Sequence, residues 1–159
     1  MEHCLELKSE QDTKDLAAYI APLLKQGNVL CLYGDLGSGK TFFTKQIGKI
    51  LGVREEISSP SFVLLNEYKT RKFPLYHVDL YRLKKEDELL DLGLQDMLDR
   101  GVTIIEWPEL AEHLLPYRTF SLYFHYDGIK RWVKIIPDEE HERFFEDFGK
   151  TKPQHLNSD

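Results

Sequence analysis

Asn28-Val29-Leu30-Cys31-Leu32-Tyr33 runs without a break into Gly34-Asp35-Leu36-Gly37-Ser38-Gly39-Lys40-Thr41. The first six residues are a short apolar run of the kind that forms a buried strand. The octet fits G-x-x-x-x-G-K-[ST], the phosphate-binding P-loop. Chance produces that pattern in roughly half a percent of chains this long, taking Gly as about 7% of residues. The surroundings lower those odds further. Behind the octet, Phe42, Phe43, Ile47, Ile50 and Leu51 recur at helical spacing, and Gly52 stands where a helix should stop. The stretch therefore predicts strand, glycine loop and helix.

The chemistry follows from the residue types. Gly34, Gly37 and Gly39 let the backbone take positive φ and come close to an anion. The N–H groups of such a loop point inward, at the positive end of the helix beginning near Lys40. Lys40 adds a full charge for the β- and γ-phosphates, and the Thr41 hydroxyl is a hard oxygen ligand suited to Mg²⁺. Gly34, Asp35, Leu36, Gly37, Ser38, Gly39, Lys40, Thr41 and Phe42 are thus the candidate nucleotide-binding run. The plainer reading, a glycine-rich turn that happens to cap a helix, is disfavoured by the match on both flanks.

Working outward, Leu5 and Leu7 predict a short first strand. Ser9 reads as an N-cap with Asp12 at N3, and a helix is expected over residues 10–26, kinked at Pro22 and stopped at Gly27. After a polar connection, residues 61–68 alternate as a strand, residues 69–72 turn, and residues 74–81 return as a second strand. So short a turn implies antiparallel pairing. Residues 85–100 carry one helical pattern closed by Gly101. Val102-Thr103-Ile104-Ile105 is a buried strand, followed by a short helix over residues 108–115. Asp127-Gly128-Ile129-Lys130 joins residues 120–126 and 131–136 as a hairpin. A last amphipathic helix is expected over residues 139–148, with Phe144, Phe145 and Phe148 apolar. The fold class is α/β: a P-loop NTPase-like mixed sheet with flanking helices, an inserted antiparallel strand pair and a C-terminal hairpin. Residues 1–149 read as one domain and residues 150–159 as a polar, disordered tail.

Bulk properties exclude several classes. The 159 residues suffice for a core without disulfides, and 42% hydrophobic with 30% charged residues is ordinary globular composition. Cys4 and Cys31 make no disulfide framework, which suits a reducing cytosol. Residues 1–8 lack an apolar signal-peptide core, and no apolar run approaches a membrane span. A cytoplasmic location is the expectation. A net charge of −6 argues against a protein that grips nucleic acid through a whole face. Two basic clusters, Lys69-Arg71-Lys72 and Arg82-Lys84-Lys85, read as solvated loop charge or as a contact for an acidic partner or RNA backbone.

A P-loop alone binds phosphate; hydrolysis needs a second acidic group for Mg²⁺ and a residue that orients water. Glu106 follows four apolar-strand residues in the manner of a Walker B acid, within reach of a metal beside Thr41. Asp79 closes Leu75-Tyr76-His77-Val78, where it could polarise water or complete the metal shell. Either carboxylate could instead simply cap a strand end. Trp107 reads as a shield for the site, a stacking surface for a partner, or core filler; His77 reads as a proton carrier or a structural histidine. Ser58-Ser59-Pro60-Ser61 is a polar loop that could sense a γ-phosphate, or a plain turn.

Four elements occur in order: the P-loop octet, Ser59-Pro60-Ser61-Phe62, His77-Val78-Asp79-Leu80-Tyr81-Arg82-Leu83 and Glu106-Trp107-Pro108-Glu109. Together they resemble the TsaE (YjeE) family, P-loop ATPases of tRNA threonylcarbamoyladenosine biosynthesis, over about residues 9–136. The resemblance implies a weak Mg²⁺-dependent ATPase acting with TsaB and TsaD on the adenosine next to the anticodon, with direct tRNA contact left open. It implies Thr41 and Glu106 as Mg²⁺ ligands and Asp79 as a residue needed for hydrolysis; with the readings made from the residues, Asp79 and Lys40 are the candidate catalytic residues and Ser59, Pro60, Ser61 and Trp107 the candidate switch or partner residues. It also implies that Ser9 and Thr13 lie near the adenine and Arg131 near the nucleotide. Ser61 departs from the family's usual Thr but keeps the hydroxyl. Two other readings stay open on the residues alone: a P-loop small-molecule kinase, and a non-catalytic nucleotide switch.

Overall fold

A computed structural model describes residues 1–58 and 65–146. One mixed, seven-stranded sheet organises them: β1 His3–Glu6, β2 Val29–Tyr33, β3 Leu65–Lys69, β4 Pro74–Asp79, β5 Val102–Glu106, β6 Thr119–Tyr126 and β7 Arg131–Ile136, in the spatial order β1-β7-β6-β2-β5-β4-β3. The centre is parallel: β2 lies between β5 and β6, and β4 runs beside β5 in the same direction. The flanks are antiparallel, with β3 on β4, β7 on β6 and β1 on β7. The P-loop NTPase-like α/β architecture expected from the sequence, with its antiparallel pair and C-terminal hairpin, is the architecture present.

The central strands are apolar throughout because both of their faces are covered. Leu30 and Leu32 of β2, with Val102 and Ile104 of β5, join a cluster that includes Leu16 and Ile20 of helix α1 (Glu10–Ile20) and Phe43 and Ile47 of helix α2 (Lys40–Leu51). Val29, Cys31 and Ile105 face the other way. There they meet Leu89 of α3 (Asp87–Leu92), Leu94, Met97 and Leu98 of α4 (Leu94–Leu98), and Ala111 of a 3₁₀ segment, Pro108–Leu114. Burial pushes the Cys31 thiol well above the usual range, so it is an inert core residue. No helix among the described residues is long and apolar enough to cross a membrane.

Several elements differ from the sequence expectation, each for a local reason. The first helix ends at Ile20 and is not a kinked helix reaching Gln26. Pro22 lacks the N–H for a further turn, and Ala21–Leu23 tightens into a 3₁₀ turn instead. Gly27 takes φ +96° not as a helix stop but in the turn into β2, where its N–H donates to Gly101 O. Asp12 accepts from Lys8 N at 2.7 Å, one residue outside the capping box, and the Ser9 side chain makes no cap bond. Ile50 lies at the edge of α2, 36% exposed, because the buried stripe runs through Phe43, Thr44 and Ile47. Strand β4 ends at Asp79, short of Tyr81. The single helix expected over residues 85–100 is two, broken where Gly93 adopts φ +68°. The last expected helix is a 3₁₀ segment, Glu139–Phe144, with Phe145 buried and Phe144 38% exposed. Phe148, the first half of the expected strand over residues 61–68, and the tail lie outside the described residues.

Gly101 does not stop a helix in the left-handed manner. A Cβ there would lie 2.0 Å from Pro74 O, so this glycine is required by the close approach of two backbones. Gly48 in α2 is also crowded, but its nearest neighbour, at 2.1 Å, is Ile57 Cδ1, the end of a rotatable side chain. Gly101→Ala should therefore destabilise the fold by about 1–3 kcal/mol. Gly48→Ala should cost less, since Ile57 can yield and alanine favours the helix. Urea midpoints of the two variants would check the ranking.

Candidate functional site

Three neighbouring parallel strands end on one edge of the sheet and place their next residues around a single cleft. β2 opens into the glycine loop, β4 ends in Asp79, and β5 ends in Glu106. Asp79 and Glu106 are paired in the ladder, and Glu106 is paired with Leu32 on its other side. This is the carboxyl end of the parallel strands, where open α/β sheets bind ligands.

The loop conformation is set by its glycines. Gly34 has φ +138°, and a Cβ on it would meet Phe124 O at 2.6 Å and Ser38 Oγ at 2.7 Å. Gly39, at φ +112°, turns the chain into α2, whose first intrahelical bond runs from Phe43 N to Gly39 O. The N–H groups of Lys40, Thr41 and Phe42 therefore have no carbonyl four residues back and face the loop's concavity as donors for an anion. Ser38 Oγ is buried without a hydrogen-bond partner among the described residues. Arg131, from the start of β7, donates to Gly37 O at 3.0 Å and lies 4.1 Å from the Tyr126 ring centroid, so the hairpin braces the loop.

Lys40 is only 4% exposed. Its ammonium donates to Gly34 O at 2.5 Å and sits 3.8 Å from the centroid of the Trp107 ring. Desolvation lowers its pKa, opposed by the negative charges of Glu106 and Asp79. Trp107 takes left-handed dihedrals (φ 57°, ψ 57°), unique among the described non-glycine residues. That turn brings its ring over Lys40 and 4.8 Å from Tyr81. Of the readings open for Trp107, a shield over the site fits its position.

Thr41 Oγ1 lies 3.3 and 3.5 Å from the two Glu106 oxygens. Glu106 Oε2 also meets His77 Nε2 at 2.5 Å, with both side chains buried. Asp79 accepts from Tyr81 N at 2.9 Å. Burial raises the Asp79 pKa, and the Glu106 charge adds to that; the Tyr81 N–H, His77 and Lys40 work against it.

The cleft, about 550 Å³, gathers most of the residues singled out in the sequence. Leu36, Gly37, Ser38, Gly39, Lys40, Thr41 and Phe42 line it, together with Ser9, Thr13, Asp79, Glu106, Trp107 and Arg131. Gly34 and Asp35 border an adjoining hollow instead, beside Tyr33 and Tyr123. Ser59, Pro60 and Ser61 lie outside the described residues. Sequence reasoning missed Leu7, Lys8, Tyr81 and Phe124, which also line the cleft. Tyr81 stands two residues beyond Asp79, close enough to have been suspected. Phe124 arrives only through the pairing of β6 with β2, which no local pattern announces.

The family model described as "Threonylcarbamoyl adenosine biosynthesis protein TsaE" matches residues 7–133. A tRNA threonylcarbamoyladenosine biosynthesis protein TsaE from Rickettsia felis is 46% identical over 94% of this chain and 88% of its own length. Its counterpart from Bacillus subtilis is 39% identical over 87% of this chain and 82% of its own length. Among solved structures, the crystal structure of Bacillus subtilis YdiB is similar, with a TM-score of 0.71 and 29% identity over 91% of this chain and 90% of that one.

The raised Asp79 pKa has a thermodynamic consequence. The folded state holds the Asp79 proton more tightly than the unfolded chain, so its ionisation destabilises the fold at neutral pH. Asp79→Asn keeps an acceptor for Tyr81 N and removes that cost. Its melting temperature should exceed that of the parent at pH 7. The gap should close as pH falls below the unfolded carboxyl value of about 3.9. Calorimetric scans across that range would check both the sign and the window.

Proposed function

The chain belongs to the TsaE family of threonylcarbamoyl adenosine biosynthesis proteins, and on that premise we propose that it is an ATP-binding, weakly ATP-hydrolysing subunit. Its role is in tRNA threonylcarbamoyladenosine biosynthesis. In this reading it acts in the cytoplasm with TsaB and TsaD, which carry out the transfer to the adenosine next to the anticodon. The observation that carries the reading is the convergence of Lys40, Thr41, Asp79 and Glu106 on one cleft with a glycine loop.

The residues present fit a nucleotide triphosphate and a divalent cation. The loop offers inward N–H groups, a buried hydroxyl at Ser38 without a partner among the described residues, and a buried ammonium at Lys40. Thr41 and Glu106 offer hard oxygen donors side by side. Bound there, Mg²⁺ would supply charge neutralisation at the β- and γ-phosphates. Lys40 exchanges the Gly34 carbonyl and the Trp107 face for phosphate oxygens. Asp79, already inclined to take a proton, orients the attacking water and accepts hydrogen from it. Trp107 and Tyr81 limit bulk water at the phosphate end. Thr13, Ser9 and Arg131 border the same cleft; in this reading Ser9 and Thr13 lie toward the adenine and Arg131 beside the nucleotide.

Lys40→Ala should weaken ATP binding by about 10- to 100-fold, the equivalent of a charged hydrogen bond worth about 1.5–3 kcal/mol. Asp79→Ala should bind ATP nearly as the parent does and fail in turnover. Calorimetry for binding and phosphate release in the presence of TsaB and TsaD would separate the two effects. Activity should rise when those proteins are added to the parent chain. If the mixture released no phosphate, the ATPase reading would be wrong.

A further inference from the structure

His77 does not enter the chemistry described so far, yet it is the most deeply buried titratable side chain touching the site. It lies in the middle of β4, with no exposed surface, and β3 and β5 flank it at Asn66 and Ile104. Its Nε2 lies 2.5 Å from Glu106 Oε2, while its Nδ1 is buried with no hydrogen-bond partner among the described residues. A carboxylate offers only acceptors, so Nε2 must carry the hydrogen and donate it.

The Glu106 carboxylate has two partners. The Thr41 hydroxyl lies 3.3 and 3.5 Å from its two oxygens, and the His77 imidazole meets Oε2 at 2.5 Å. A glutamate has three side-chain torsions, and the strand end by itself fixes none of them. A polar histidine in the sheet interior costs desolvation that a leucine would not. That cost is offset only if the bond it makes matters.

We propose that His77 is a positioning residue: its Nε2–H aims the Glu106 carboxylate so that one oxygen stays turned toward Thr41 for a divalent cation. The inference rests on the metal-ligand reading of Glu106 given above. Donors of this kind orient metal-binding side chains and set their affinity without touching the ion.

The test compares three variants of the full-length chain, His77→Gln, His77→Asn and His77→Leu, each checked for folding by its melting curve. Gln places an amide N–H as many bonds from the backbone as Nε2 lies; Asn, of similar polarity, falls one bond short. The probe is Mn²⁺, titrated into the ADP-bound protein and followed by electron paramagnetic resonance; ATP binding without metal, in EDTA, is measured alongside. His77→Gln should bind Mn²⁺ close to the parent, while His77→Asn and His77→Leu should lose about 10- to 100-fold. Metal-free ATP binding should stay the same in all. Should His77→Leu fail to fold, the comparison of Gln with Asn still decides. Unchanged Mn²⁺ affinity in His77→Asn would overturn the proposal, as would an equal loss in His77→Gln. An equal fall in metal-free ATP binding would mark a merely structural residue and overturn it too. If the parent bound no Mn²⁺ with ADP, the metal-ligand reading itself would fail, and this inference with it.

Discussion

A lysine ammonium kept away from water is the constraint around which this structure is arranged. Lys40 is only slightly exposed where it stands, and a buried charge without partners is among the costliest things a fold can contain. The chain meets that cost with a carbonyl from Gly34, the negative face of the Trp107 ring and the nearby field of Glu106 and Asp79. None of these partners comes from the helix that carries the lysine. They arrive on the ends of three neighbouring strands, Gly34 after β2, Glu106 and Trp107 at the end of β5, and Asp79 at the end of β4, so the parallel order of β2, β5 and β4 is what makes the charge tolerable. The balance is deliberately incomplete: desolvation still depresses the ammonium, and burial still raises Asp79. Perturbed groups of both signs gathered in one cleft are the mark of a candidate functional site.

The outline of the fold was legible because its strongest signals are local. An apolar run leading into a glycine octet, an antiparallel pair across a short polar turn, and a hairpin at Asp127-Gly128 are all short-range patterns, and all three stand in the structure. The helices were read less well. Periodicity carried the first helix past Pro22 and carried the pattern of residues 85–100 across Gly93, since an apolar spacing does not register a missing N–H or a positive φ. Gly101 was legible as a break but not for its reason. Its reason is the backbone of Pro74, a contact made across the sheet.

The site divides in the same way. Residues within the glycine loop, and acids at the ends of apolar strands, were readable because strand ends and loops expose chemistry. That Asp79 and Glu106 are ladder partners, and that Trp107 turns back over Lys40, depends on sheet register and on one left-handed residue. His77 was open to two readings in the sequence. Only the position of Glu106, on the adjacent strand, shows what its ring touches.

The brace between Arg131 and the Gly37 carbonyl spans 94 residues of sequence. The strand that completes the central sheet beside β2 also comes from that late portion of the chain. During synthesis the glycine octet leaves the ribosome long before either support exists. The glycine loop is thus among the first parts of the chain to emerge and among the last to gain the contacts that brace it.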